Sequence, residues 1–234
     1  MNGRHYNYFL GDVRWGDAEP VRKHYGPDAV EPILSAWTRV RGGTGWIANF
    51  LMLNKFKPRA SVFASAWRGV NRPALNYIRL RLQATQFSTP DGGDRIVRIA
   101  QELVAWSCGV YARAWHSDQS HRRIAAKTPE ERLEQMDWLA FFGEPFLELF
   151  GGRQRVLDAP CYLSKETNGG VLLLAAPRPD GPEMTHSEAT LLKLERYLGI
   201  DAFAGNGYPD VPCRVPHFDL SETVVDRISS DVGG

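Results

Sequence analysis

Hydrophobic and polar positions change period several times along the chain, and each change marks an element. Tyr6, Tyr8, Phe9 and Leu10 make residues 5–11 a short first strand. Asp28 then precedes a helical pattern, with Val30, Ile33, Leu34 and Trp37 at i, i+3, i+4 and i+7. Gly42-Gly43-Thr44-Gly45 closes that helix, since glycine accepts the left-handed conformation of a helix stop. Residues 46–53 are almost continuously apolar, and 61–67 are rich in Val, Phe and Trp. The polar Lys55-Phe56-Lys57-Pro58-Arg59 between them predicts a hairpin. Over 77–84, Ile78, Leu80, Leu82 and Ala84 alternate with Arg79, Arg81 and Gln83, the period of a half-buried strand with both arginines on its outer face.

Pro90-Asp91-Gly92-Gly93 predicts a turn, after which Asp94 opens a helix with Ile96, Ile99, Ala100 and Leu103 on one face. Residues 108–115 read as a strand. Thr128-Pro129-Glu130-Glu131 has the composition of a helix start, with Thr128 as cap and proline in the first turn. Residues 138–145 read as a turn-rich core segment, followed by a short helix over 146–150 that stops at Gly151-Gly152. Strands are expected at 160–163 and 170–175, split by Glu166-Thr167-Asn168-Gly169. A second capping box, Thr185-His186-Ser187-Glu188, starts a helix carrying Leu191, Leu192, Leu194 and Leu198 before Gly199. The proline- and aspartate-rich residues 206–234 read as a coil-like tail.

Consecutive strands with flanking helices, lacking regular βαβ alternation, predict an α+β fold with mixed or antiparallel sheets. A strand–helix–strand theme recurs on both sides of about residue 126. The expected organisation is one globular unit containing packed subdomains 1–126 and 127–205.

Composition bounds the class. The chain has 234 residues, 43% of them hydrophobic and 24% charged, which excludes wholesale disorder. Cys108, Cys161 and Cys213 are too few and too scattered for a disulfide framework, pointing to a reducing compartment. The start lacks the apolar run of a secretory signal, and no stretch has the roughly 18 apolar residues of a membrane span, so a cytoplasmic protein is expected.

Charge sharpens the picture. The net +1 conceals 18 Lys+Arg against 9 Asp+Glu in residues 1–125, and 10 against 18 in residues 126–234. Between Glu31 and Asp91 there are nine basic residues and no acidic one. Such asymmetry suggests a charged macromolecular partner.

Familiar catalytic signatures are missing. No Gly-Lys-Ser/Thr string ends a glycine loop, and Gly42–Gly45 stands between helix and strand, the reverse of a phosphate cradle. There is no Gly-x-Ser-x-Gly elbow and no His-Glu-x-x-His helix. No lysine follows an acidic residue by two positions, which disfavours one common nuclease type. Cys108, His116 and His121 fall close together, but their spacing fits neither a helix nor a strand face, so no metal site is expected. Glu130 and Glu134, four apart, suit a solvated acidic face better than acid–base chemistry. Catalytic, cofactor and metal sites are therefore not assigned, and an enzyme is not expected.

Two surfaces remain. Lys55, Lys57, Arg59, Arg79 and Arg81 belong to the basic stretch 39–81, where interleaved Phe56 and Tyr77 give it the makings of a nucleic-acid platform. Trp46, Phe50, Phe63 and Trp67 are assigned to the core there. In contrast, Glu130, Glu131, Glu134, Asp137, Glu144 and Glu148 lie within nineteen residues, against a single Arg132. That cluster suits electrostatic steering of a basic protein.

Residues 94–205 resemble the immunity proteins of bacterial type VI secretion and polymorphic-toxin systems. The similarity is carried by the helix and strand of 94–115, by Asp137-Trp138-Leu139-Ala140-Phe141-Phe142-Gly143-Glu144-Pro145, by the helix ending in Gly151-Gly152, and by Asn168-Gly169-Gly170-Val171-Leu172-Leu173-Leu174. The first ninety residues match less clearly. The resemblance implies a non-catalytic protein that occludes a cognate toxin encoded by an adjacent gene. Together with the expected compartment, it points to a cytoplasmic nuclease as the toxin and to the immunity protein 52 group. Glu130, Glu131, Glu134 and Asp137 are the residues expected to meet that toxin; Lys55, Lys57, Arg59, Arg79 and Arg81 are those expected to meet nucleic acid under the alternative.

Overall fold

The computed structural model describes residues 7–10, 23–25, 38–39, 45–53, 60–69, 77–82, 89–115, 133–179, 187–203 and 214–218. Within 7–82 the described side chains are those of Ile78, Leu80 and Leu82, and within 187–203 those from Ala189 onward. The chain divides into two compact units, one formed by Met1–Gln86 with Asp219–Gly234 and the other by Phe87–Phe218. Helices combine with antiparallel sheets, the expected α+β class.

The first unit contains β1 (Asn7–Leu10), β2 (Lys23–Tyr25), β3 (Thr38–Arg39), β4 (Gly45–Leu53), β5 (Ala60–Gly69) and β6 (Tyr77–Leu82). They form a sheet of order β2-β1-β4-β5-β6, with β3 also paired to β4. Every pairing is antiparallel. β4 and β5 make the hairpin anticipated from their apolar runs, pairing from Leu53 with Ser61 to Gly45 with Gly69. Ile78, Leu80 and Leu82 are half-buried, as their alternation with arginine predicts. β3 lies just past the helical pattern that begins at Asp28; Val30 to Trp37 fall outside the described residues.

The second unit runs α1 (Gly92–Ser107), β7 (Tyr111–Ala114), β8 (Leu139–Phe142), α2 (Glu144–Leu149), α3 (Arg153–Leu157), β9 (Leu163–Thr167), β10 (Gly170–Leu174) and α4 (Ser187–Leu198), followed by one 3-10 turn at Ile200–Ala202. Its antiparallel sheet has the order β7-β8-β10-β9. Asn168 and Gly169 close the β9–β10 hairpin, both with positive φ, which matches the right-handed twist of the strands they join.

Helices cover both faces of this sheet. Gln101 on α1 donates to the Thr167 hydroxyl at 3.4 Å, and Asn168 donates to the Gln101 carbonyl at 3.0 Å. By strand alternation that face also holds Phe141 and Leu172, whose backbones are paired. On the other face Phe142 meets Phe150 edge-on at 4.9 Å, and Phe150 stacks on Phe203 at 6.0 Å. Phe146 of α2 continues the aromatic layer to Tyr111 and Phe218. Such contacts add about 0.5–1.5 kcal/mol each beyond area burial.

Burial on both sides explains where the sequence pattern misleads. Residues 138–142 have no polar face, so their lack of alternation suggests a turn-rich segment; they instead enter and form the fully buried β8. β10 is buried along its whole length for the same reason. The helix expected from Thr128 does not continue over 133–137, which is non-helical: Leu133 N–H bonds the Ala202 carbonyl, and Met136 N–H bonds Glu195 Oε1 at 2.8 Å. Cys108 ends α1 in the left-handed region (φ 48°) rather than opening a strand. The strand expected at 160–163 starts later, at Leu163, and α3 is an additional short helix.

Close approach accounts for two glycines. A Cβ at Gly93 would lie 2.9 Å from the Pro177 carbonyl oxygen, so the first turn of α1 can sit directly on that segment. A Cβ at Gly170 would collide with the Phe142 carbonyl oxygen and lie 2.5 Å from Phe141 Cζ. The bare backbone of β10 is therefore what admits the Phe141 ring.

Candidate binding surfaces

Strand β7 places Arg113 beside the non-helical segment 133–137. Its Nη1 donates to Glu134 Oε2 at 2.5 Å and stands 3.7 Å from Asp137 Oδ2. The three side chains are 22%, 11% and 1% exposed respectively. Gln135 Nε2 donates to Asp137 Oδ1 at 3.4 Å, and the guanidinium lies 5.0 Å from the Trp115 ring centroid. Burial opposes the charge on Arg113, but Tyr111, the Glu134 hydrogen bond and the Asp137 carboxylate outweigh it and raise its pKa. Arg113 therefore stays charged and binds β7 to a segment whose own residues are mostly interior.

This geometry corrects the acidic surface. Glu134 and Asp137 were expected to meet a partner from an exposed helix; they lie in a non-helical segment and turn inward to Arg113. Glu130 and Glu131 fall outside the described residues. Glu144 is taken elsewhere, to Arg153, which also binds Glu166, both at 2.8 Å, and the Gly169 carbonyl at 3.1 Å. Arg153 thus joins the α2–α3 corner to the β9–β10 hairpin. Glu148 is exposed on α2. Four carboxylates close together in sequence are thus distributed over the largely buried Arg113, the surface pair with Arg153 and open solvent.

Of the basic positions, Arg79 and Arg81 lie in β6, opposite Phe63 and Ser61 of β5. Lys55, Lys57 and Arg59 lie outside the described residues, in the stretch joining β4 to β5. Cys108 is exposed, while His116 and His121 are not described. Among the described residues no group of three His, Cys, Asp or Glu side chains is placed to hold a metal ion. None of the described helices is long and apolar enough to cross a membrane.

Trp106, in the last turn of α1, is 78% exposed. Placing the helix's buried stripe on Ile96, Ile99, Ala100 and Leu103 leaves Trp106 near its edge. In the structure Ile96 and Ala100 do pack against the core, together with Val97, and the fully buried positions are Gly92, Gly93 and Val104. Two residues beyond Val104 is about 200° around the helix, so Trp106 faces away from the sheet. The two buried glycines were the available signal, because they mark where α1 touches the rest of the unit. Tyr162, Leu163 and Val215 are the other large apolar side chains exposed among the described residues.

Comparison with known proteins finds no matching family model, no matching curated protein and no matching solved structure.

Proposed function

We propose that the protein is an immunity protein, a non-catalytic binder that neutralises a cognate antibacterial toxin by covering its active site or substrate path. The observation that carries this reading is one of boundaries. Residues 94–205, the segment that resembles such proteins, lie wholly inside the compact unit Phe87–Phe218, with its own sheet, covering helices and core. A resemblance scattered over two units would have had no such physical counterpart. The toxin is a nuclease acting in the cytoplasm, where the immunity protein meets it.

With Glu134 and Asp137 engaged by Arg113, an exposed position elsewhere in the same unit serves better as the docking site. Trp106 stands on a 16-residue helix bound through Gln101 to the β9–β10 hairpin, so a partner meets a large aromatic on a rigid support. Tryptophan is among the residues most often found to dominate binding energy at interfaces.

Co-expression of the full chain with the product of the adjacent gene tests the reading. Rescue of growth and co-purification of the pair are expected; a toxic neighbour that is neither rescued nor bound would overturn it. Replacing Trp106 by Ala should weaken that complex by about thirtyfold, the loss of an anchor residue. Hydrogen exchange in β8 should stay unchanged, because the side chain is outside the core. Unaltered affinity would remove Trp106 from the interface.

A further inference from the structure

The strand register of the first unit reveals an arrangement that the linear sequence hides. Successive residues of a strand alternate between faces, and residues paired across strands share a face. Ile78, Leu80 and Leu82 are half-buried, and their register partners are Ala64, Val62 and Ala60. Continuing into β4, Ala64 pairs with Phe50 and Val62 with Met52. This face is almost wholly apolar at its centre, the composition of a packed face.

The opposite face is composed differently. Arg79 pairs with Phe63, which pairs with Leu51; Arg81 pairs with Ser61, which pairs with Leu53. Tyr77 pairs with Ser65, which pairs with Asn49, and Trp67 pairs with Ile47. The register therefore brings Tyr77, Phe63 and Trp67 to the same face as Arg79 and Arg81. Register thus sets Phe63 in the row of Arg79, and Trp67 on the same face, apart from the face of Ile78, Leu80 and Leu82.

From this juxtaposition we infer that the β4–β5–β6 face is a binding platform for single-stranded nucleic acid. It is an inference about the first unit and does not rest on the toxin-binding reading of the second. Aromatic positions supply surfaces on which bases stack irrespective of sequence, and arginines supply phosphate contacts. Asn49, Ser61 and Ser65 add hydrogen-bonding groups between them. Charge complementarity favours this occupant over a protein. Arg79 and Arg81 stand on this face, and the sequence between Glu31 and Asp91 holds nine basic residues and no carboxylate, so no acidic residue of that stretch opposes a polyanion there.

Fluorescence anisotropy with the full chain and labelled 15-nucleotide oligo-dT, oligo-U and duplex DNA tests the inference. The single strands should bind at low salt and outcompete the duplex, because only their bases are free to stack. Arg79→Gln/Arg81→Gln should flatten the log affinity–log salt slope by about 1.4, two phosphates' worth on a single strand. Arg79→Lys/Arg81→Lys should restore that slope. Phe63→Leu, which keeps apolar bulk and removes the ring, should weaken binding by about tenfold while the salt slope holds. Circular dichroism at the assay temperature reports whether each variant is folded; if Phe63→Leu is not, the arginine pair still decides. The inference is overturned by absence of binding at about 50 mM salt, by equal affinity for duplex and single strand, or by a slope that ignores the arginines. Retention of a protein partner through this face, without nucleic acid, would overturn it equally.

Discussion

Replacing Arg113 by Met isolates what the internal charge cluster contributes. The substitution keeps an unbranched apolar stem and removes the guanidinium that bonds Glu134 and faces Asp137. Breaking a buried pair from one side costs about 3–5 kcal/mol, because the remaining charge stays desolvated. Arg113 retains 22% exposure and Glu134 11%, so water can reach part of the site; Asp137, at 1%, has no such relief. The expected loss is therefore at the low end, about 3 kcal/mol. Because the chain has two units, hydrogen exchange of the β8 and β10 amides is a better measure than a global melt. A loss of that size accelerates their exchange by about a hundredfold. Adding Asp137→Asn to the Met variant removes the buried carboxylate's charge and should recover part of the protection. An effect below about threefold, or a double variant no better than the single one, would refute the claim that Asp137 depends on Arg113.

Gly170→Ala should destabilise the second unit by about 3 kcal/mol, since the added methyl meets a main-chain carbonyl that cannot swing away. Gly169→Ala, with open space but φ 76°, should cost about 1 kcal/mol; equal costs in the same exchange assay would contradict the packing account. Trp138→Phe removes the 2.8 Å bond from Nε1 to the Ala176 carbonyl and should cost about 2 kcal/mol, read from β8 protection. Burial pushes the Cys161 thiol above its ordinary pKa, so its alkylation in the folded chain should need higher pH than in urea. Its stability contribution is complete below the ordinary thiol range and is lost as pH rises through the raised value. Identical labelling profiles by peptide mass spectrometry would show that the fold does not perturb it.

Legibility in the sequence followed the physics of each element. Half-buried elements announce themselves: the Ile78–Leu82 alternation and the leucine-bearing helix that stops at Gly199 were both readable and both formed. Elements buried on every side lose their period, so β8 resembled a turn-rich stretch, although its aromatic density correctly marked it as core. Capping signals describe only the first turn of a helix. Thr128-Pro129-Glu130-Glu131 therefore does not convey that, from Leu133 on, bonds to Ala202 and Glu195 and the Arg113 pair hold the chain in a non-helical path. Three members of the acidic cluster show a related effect: neighbours in sequence do not share one surface, because Arg113 takes Glu134 and Asp137 while Arg153 takes Glu144. The stripe of α1 is read only in part, Ile96 and Ala100 packing against the core as expected, because glycines score as neutral while Gly93 marks the closest contact.

The division into units also changes what the charge asymmetry means. Split at the unit boundaries, the first unit has 14 Lys+Arg and 9 Asp+Glu, the second 14 and 18. The imbalance between halves shrinks, because Asp219–Gly234 carries four acidic residues and one basic one to the first unit. What does not shrink is the acid-free interval, and it coincides with β3 to β6. A charge difference between domains is weak evidence for any partner, since it is diluted over a whole surface and screened within about 10 Å at ordinary salt. Arg79 and Arg81, two residues apart on one strand and on a face that also gathers three aromatic positions, fall within that distance and can act together, whereas Arg39 and Arg68 share a register row with Trp46 on the other face. The asymmetry is thus better described as a property of one sheet than of half a chain. Charge reversal at Arg79 and Arg81 should consequently abolish retention on a polyanionic column, whereas reversal at Arg95 and Arg98, exposed on α1 of the acidic unit, should leave it intact. Equal losses from the two pairs would show that only net charge matters.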